Sequence, residues 1–300
     1  MFRSRNIENL VLAAIVTGLF LCEAASGQTV ERVISVAGNQ AVLKQPFQVT
    51  VSPSGALLAI TDRQAGRIYI FDSRGELQWG SSESLTLDQP SGICFGSEET
   101  VFFTLKDKLI LLGLSKSTPD KVDTVADMSA ASGKLKSVDR IQPEAGGYLV
   151  LDESRNVIAR FDRAWKFDRV IVESGQGKGR LWSPTDFALD LSGNILVADA
   201  GNYAVQCFAS DGQFLFYGGW NAPSSQRTWE ASAIFVSLQE VIWAADAGSR
   251  QWRLFDKTGN EIQQIPFPNE IIRPRSIAVT PDNRIAVADE SGSIVLLSLP

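Results

Sequence analysis

The strongest constraint on the fold is an internal echo. The stretch NILVADAGNYAVQCFASDGQF at Asn194 to Phe214 returns, degraded, as EVIWAADAGSRQWRLFDKTGNEI at Glu240 to Ile262. Each copy closes an apolar run on an acid, Asp199 and Asp246, and the same frame fits Asp62, Asp152 and Asp289. An eroded copy, VFFTLKDKLILLGL, keeps the apolar pattern around Thr104 without the acid. Successive anchors lie roughly 45 residues apart, a period that belongs to propeller blades or helical arrays.

The local pattern decides for strands. Short β-branched runs such as SIAVT, RIAVAD and SIVLLS are separated by Gly, Asn, Asp and Ser, and no helix has room between them. Ser54-Gly55, Ser192-Gly193 and Asp282-Asn283 fall between first and second runs, and Gly75, Gly212 and Gly259 between third and fourth, where tight hairpins need positive φ. Several units open on a proline: Pro46, Pro90, Pro184 and Pro274. Four strands per unit make one blade, and the anchors predict an all-β, six-bladed propeller. The last unit ends after three strands, while ERVISVAG at Glu31 to Gly38 stands alone before the first. Supplying the missing outer strand from this N-terminal segment closes the ring and leaves no unpaired end, so a monomer is expected.

These residues resemble a known family. GQGKGRLWSPTDFALDLSGNILVADAGNYAVQCFASDGQFLFYGG and RPRSIAVTPDNRIAVADESGSIVLL look like NHL repeats, with a glycine-spaced approach, a proline, a hydrophobic-Ala-Asp ending and a turn. The likeness is strongest over Gly175 to Gly219 and implies a six-bladed NHL-type propeller over residues 28–300. A repeat class implies fold rather than function.

Residues 1–27 read as a secretory signal peptide. Arg3 and Arg5 precede an apolar stretch from Leu10 to Leu21, and small residues lead to a cleavage point before Gln28. The stretch is short for a membrane span, and Leu21 before Cys22 argues against a lipid anchor. An exported protein, periplasmic or secreted, is expected. The net charge of −6 argues against nucleic acid, whose phosphates are bound by Lys and Arg. After cleavage Cys94 and Cys207 remain, in non-adjacent blades, and are expected as buried free thiols.

The chain has no histidine. A Ser-His-Asp triad, a Cys-His pair and a His-ligated zinc are therefore excluded, and with them the histidine-dependent lyases and zinc-dependent amidating lyases built on six-bladed propellers. No catalytic residue, resident cofactor or metal ligand is assigned. Calcium remains chemically open, because it takes oxygen ligands alone.

The acids Asp62, Asp152, Asp199, Asp246 and Asp289 recur with the repeat, so they are expected to cap their own turns. Function is expected where the repeat fails. At the start of the first strands and after the second strands, Arg63, Arg140, Asp186, Asn202, Arg250 and Arg275 break the symmetry. They are the candidate ligand-binding residues, since arginine presents a planar fork to carboxylates. GQGKGR at Gly175 to Arg180 leads into a strand rather than a helix, so it reads as a blade connector and not a phosphate loop. The tryptophans are expected to fill gaps between blades, with Trp252 the most outward of them. Together these features point to a non-enzymatic recognition or scaffold module that binds a protein, peptide or envelope ligand through one rim. The alternative is a calcium-dependent lactonase- or esterase-like hydrolase with carboxylates at the channel mouth.

Overall fold

The computed structural model describes residues 28–37, 41–81, 87–114, 122–219 and 229–299. Residues 1–27, where the sequence suggests a signal peptide and which include Cys22, and Trp220 lie outside them. Six four-stranded antiparallel sheets form the ring. In blade 1 the strands are Pro46–Val51, Leu57–Asp62, Arg67–Asp72 and Leu77–Gly80. Blade 2 runs from Pro90–Ser97 to Val122–Asp127, blade 3 from Arg140–Glu144 to Phe167–Val172, and blade 4 from Pro184–Leu189 to Phe214–Gly218. Blade 5 runs from Ala231–Val236 to Glu261–Pro266.

Blade 6 joins the two ends of the chain. Pro274–Val279, Arg284–Asp289 and Ser293–Ser298 are completed by Thr29–Ile34, which pairs antiparallel with Ser293–Ser298. The first strands of neighbouring blades touch one another around the whole ring and line its central channel. Each of the six hydrophobic clusters lies between two blades, so burial drives blade against blade rather than forming one central core. Cys94 and Cys207 are buried free thiols in separate clusters. Among the described residues no helix is long and apolar enough to cross a membrane.

Proline opens four of the first strands, at Pro46, Pro90, Pro184 and Pro274. This is the strand position where a missing N–H does least harm.

Three expectations need correction. The helix-free reading misses a turn of α-helix at Met128–Ser132, capped by the Asp127 carboxylate on Ala130 N–H and ended by Gly133 at φ 60°, and a 3₁₀ turn at Ala200–Asn202. Both lie in connections, where the strand pattern gives no information. The eroded anchor is Leu105, one residue beyond Thr104, because Leu105 pairs with Pro90 as Asp62 pairs with Pro46. Trp252 points inward and is fully buried, edge-on to Phe267 at 4.7 Å between ring centroids.

Candidate functional site

The site is built by an irregularity at the start of the first strands. In blades 1, 2, 4, 5 and 6 the register slips there, as between Pro46 and Gln48 or Pro274 and Ser276. Such a bulge bends the strand and re-aims its side chains. The result is that Phe47 and Arg275, each one residue past the proline, meet Arg140 of blade 3 where the blade connectors gather.

Phe47 is at the centre. Its ring is approached by the guanidinium carbons of Arg63 at 3.4 Å, Arg140 at 3.9 Å and Arg275 at 4.7 Å from the centroid. Stacking on an aromatic face suits the weakly hydrated guanidinium and would serve a lysine poorly. Carboxylates from several blades surround the group. Arg275 Nη2 donates to both oxygens of Glu153 at 2.6 and 2.7 Å, and Arg63 Nη2 donates to Asp139 at 2.7 Å and to Ser91 at 2.9 Å. Arg140 pairs through Nε with Asp186 at 3.4 Å and through Nη1 with Glu153 at 3.7 Å, while its Nη2 donates to the Arg275 carbonyl at 3.2 Å. Blades 3 and 6 are therefore tied across the channel, and its mouth is plugged.

Below the plug Gln48 links three blades. Its Oε1 accepts from Ile93 and Ile141 N–H, and its Nε2 donates to the Ile141 carbonyl at 3.0 Å. Asp186 accepts from Ile234 N–H of blade 5 at 3.2 Å. Arg140 Nε and Arg275 Nε are buried without a hydrogen bond and are compensated only by the carboxylates of Asp186 at 3.4 Å and Glu290 at 3.5 Å, so removing either acid would leave a buried charge uncompensated.

Burial dominates the electrostatics. It lowers the Arg140 guanidinium to about 10, helped by the like charge of Arg275 and opposed by Glu153, Asp186 and Asp139. Arg140 stays protonated at neutral pH. Burial likewise raises the Asp186 carboxyl to about 6, against the pull of Arg140 and the Ile234 N–H.

Above the plug a polar cleft of about 460 Å³ opens between Lys44, Gln45, Arg63, Gln64, Gln89 and Glu290. Arg63 engages Ser91 and Asp139 through Nε and Nη2, and no described protein group takes its Nη1. Of the symmetry-breaking residues, Arg63, Arg140, Asp186 and Arg275 converge here. Arg250 lies on the blade 5 rim, donating to the Ile271 carbonyl, and Asn202 on the blade 4 rim. Sequence reasoning missed Phe47, Asp139 and Glu290. The available signal was position: Phe47 directly follows the strand-opening Pro46, and Asp139 directly precedes the candidate Arg140.

The recurring acids sit in their own turns. Asp62 accepts from the N–H groups of Lys44, Gln45 and Ala65, and Asp289 from those of Ile272, Arg273 and Ser291. Asp152 and Asp246 bind their loops similarly, the latter also taking Arg253 Nε at 3.0 Å. Asp199 differs. Besides backbone donors, Trp182 N–H among them, it accepts from two side-chain amides, Asn202 at 2.7 Å and Gln206 at 2.6 Å.

The family model described as NHL repeat matches residues 181–208, the first three strands of blade 4 with their approach. This stretch is an NHL repeat. The other NHL-like blades follow its register with weaker sequence likeness. No curated protein matches the chain in sequence. Among solved structures, virginiamycin B lyase from Staphylococcus aureus is similar at TM-score 0.62 and 15% identity, over 91% of this chain and 100% of that one. A luciferin-regenerating enzyme is similar at TM-score 0.65 and 11% identity, over 89% and 95% of the two chains. The calcium-binding protein regucalcin from Agrobacterium tumefaciens strain C58 gives 0.64 and 13%, over 91% and 94%. These likenesses carry the fold alone.

Proposed function

We propose that this chain is an exported recognition module that holds a polar, carboxylate-bearing peptide or protein segment at the channel mouth. The observation that carries this reading is the pairing inside the plug. Asp139, Glu153 and Asp186 each face a guanidinium, so these carboxylates are already engaged by fixed cationic partners rather than held open for a bare cation. The plug is a rigid floor rather than an open reaction chamber. Above it Arg63 Nη1 and Lys44 supply positive charge, and the amides of Gln45, Gln64 and Gln89 match the donors and acceptors of a peptide backbone. Loops on a rigid ring suit recognition, because they vary without disturbing the inter-blade clusters.

The test is thermal and needs only the mature protein. Short peptides ending in a free carboxylate at millimolar concentration should raise the melting temperature, and Lys44→Glu, an exposed change above the plug, should abolish the rise. A rise that survives Lys44→Glu removes the cleft as the binding site.

A second reading is favoured by the fold neighbours, which include a lyase, a luciferin-regenerating enzyme and a calcium-binding protein. In this reading the protein is a calcium-dependent hydrolase that uses mouth carboxylates. One neighbour is a virginiamycin B lyase made catalytically inactive by a histidine-to-alanine change and solved with quinupristin. The present chain has no histidine to offer in such a role. Calcium at millimolar concentration should leave the melting temperature unchanged, and EDTA likewise; a shift of several degrees favours the hydrolase.

A further inference from the structure

The rim of blade 4 holds a second cavity, about 500 Å³, remote from the plug in its contacts and lined by Gln176, Lys178, Asn202, Tyr203 and Tyr217 with glycine backbone. This is within the size range of small-molecule sites. Two features distinguish it from a gap between loops.

The first is its foundation. Asn202 and Gln206 are buried, and both reach from the Asp199 carboxylate to the glycine-rich connector. Asn202 Oδ1 accepts from Gly177 N–H at 2.8 Å, and its Nδ2 donates to the Arg180 carbonyl at 3.0 Å. Gln206 Oε1 accepts from Gly179 N–H at 2.8 Å, and its Nε2 donates to the Arg180 carbonyl at 2.7 Å. Tyr217 Oη donates to the Asn202 carbonyl at 2.6 Å. A loop with several glycines would otherwise be loose. Here it is fixed, and Gly177 of the loop borders the cavity.

The second is Tyr203. It occupies the left-handed region at φ 55°, the fourth residue after the anchor acid. At that position blade 1 has Gly66, blade 3 Asn156 and blade 5 Arg250, all at positive φ, so the loop imposes the left-handed conformation on whatever residue it carries. What is particular to blade 4 is that this strained position carries an aromatic ring and sets it at the cavity. The ring borders the cavity, together with that of Tyr217, over which the Lys178 ammonium stands at 5.8 Å from the centroid.

We infer that this cavity is a binding site for a carboxylated sugar, a hexuronate unit of an acidic saccharide. The tyrosine rings suit the apolar C–H face of a pyranose, the Gln176 amide suits its hydroxyls, and Lys178 suits its carboxylate. The site is independent of the channel mouth.

Titration of the mature protein with trigalacturonate, followed by calorimetry, tests it against maltotriose as a neutral sugar and benzoate as an aromatic carboxylate. Trigalacturonate is expected to bind, maltotriose at least tenfold more weakly, and benzoate not at all. Tyr203→Asn, which installs the blade 3 residue, should keep the melting temperature and weaken trigalacturonate binding at least tenfold, and Lys178→Gln should erase the preference over maltotriose. Lys44→Glu should leave the titration unchanged, which separates this site from the mouth cleft. Absence of trigalacturonate binding, equal binding of maltotriose, binding of benzoate, or undiminished binding by Tyr203→Asn would each overturn the assignment.

Discussion

Blades 3 and 4 place an aspartate at the same register, yet the two acids titrate in opposite directions. Burial pushes the Asp152 carboxyl up, but hydrogen bonds from Lys136 N–H, the Ser154 hydroxyl, Ser137 N–H and Arg155 N–H outweigh it and hold it below the usual range. At Asp199 burial wins. The amide of Asn202, the Trp182 N–H and the amide of Gln206 do not offset it, and the carboxyl rises to about 6. Both side chains are fully buried. The contrast teaches that the repeat decides where the acid goes, while its donors decide what the acid does. Asp152 locks its own turn, whereas Asp199 anchors two amides that hold a connector beside a cavity.

The largest expected effect is at Asp152. Replacing it with alanine strands three buried or half-buried backbone donors, at a cost of about 3 kcal/mol in urea unfolding at pH 7. A loss below about 1 kcal/mol would break the turn-lock account. Next is the pH dependence. For Asp199 the folded-state value is raised, so the penalty is absent where the carboxyl is protonated in both states, below about pH 4. It grows as pH rises and is complete above about 6. Wild-type stability measured relative to Asp199→Asn should therefore fall by about 2 kcal/mol between pH 4 and 7. The Asp152 contribution has the opposite sign, present above the usual carboxylate range and lost as pH falls through the lowered folded value. Asp152→Asn should flatten the acid limb of the stability curve. If both variants moved that curve in the same direction, the contrast between the blades would be gone.

A smaller effect tests blade 2, where the acid is missing. Its second and third strands are joined through Lys106 and Asp107 alone, with Leu105 paired directly to Lys108. The other loops are longer, and Asp62, Asp152 and Asp246 each accept from the N–H three residues on. A two-residue hairpin has no such donor. Leu105→Asp should thus lose about 1 kcal/mol rather than restore a lock, and any gain in melting temperature would refute the argument from loop length. The smallest effect is at Tyr203→Asn, where relief of the left-handed backbone offsets lost contacts and stability should stay within about 0.5 kcal/mol.

Legibility followed the range of the interactions. The strand pattern, the prolines and the closing N-terminal strand were readable, since alternation and turn chemistry are written over a few residues. The anchor of blade 2 was read at Thr104 instead of Leu105 because both positions are retained in blade 1, as Thr61 and Asp62, and each has a distinct task. Thr61 and Thr104 both donate to a carbonyl of the next blade, Ser91 and Val138, at 2.7 Å. With the acid gone, only the threonine was left to see. The direction of Trp252 escaped for a related reason: it lies between Arg250 and Arg253, a charged neighbourhood that looks like surface in sequence, but Arg253 turns to Asp246 and Glu261 while the indole meets Phe267 edge-on.

The sequence alone determined the number of blades, the strands in each and the closure of the ring, because repeat spacing and period-two alternation are properties of neighbouring residues. The tertiary structure decided the plug. Arg140 and Glu153 lie far along the chain from Arg275 and Phe47, and no local pattern pairs them. Only closing the ring brings blades 1, 3 and 6 to one mouth, where burial makes the choice of ion-pair partner decisive.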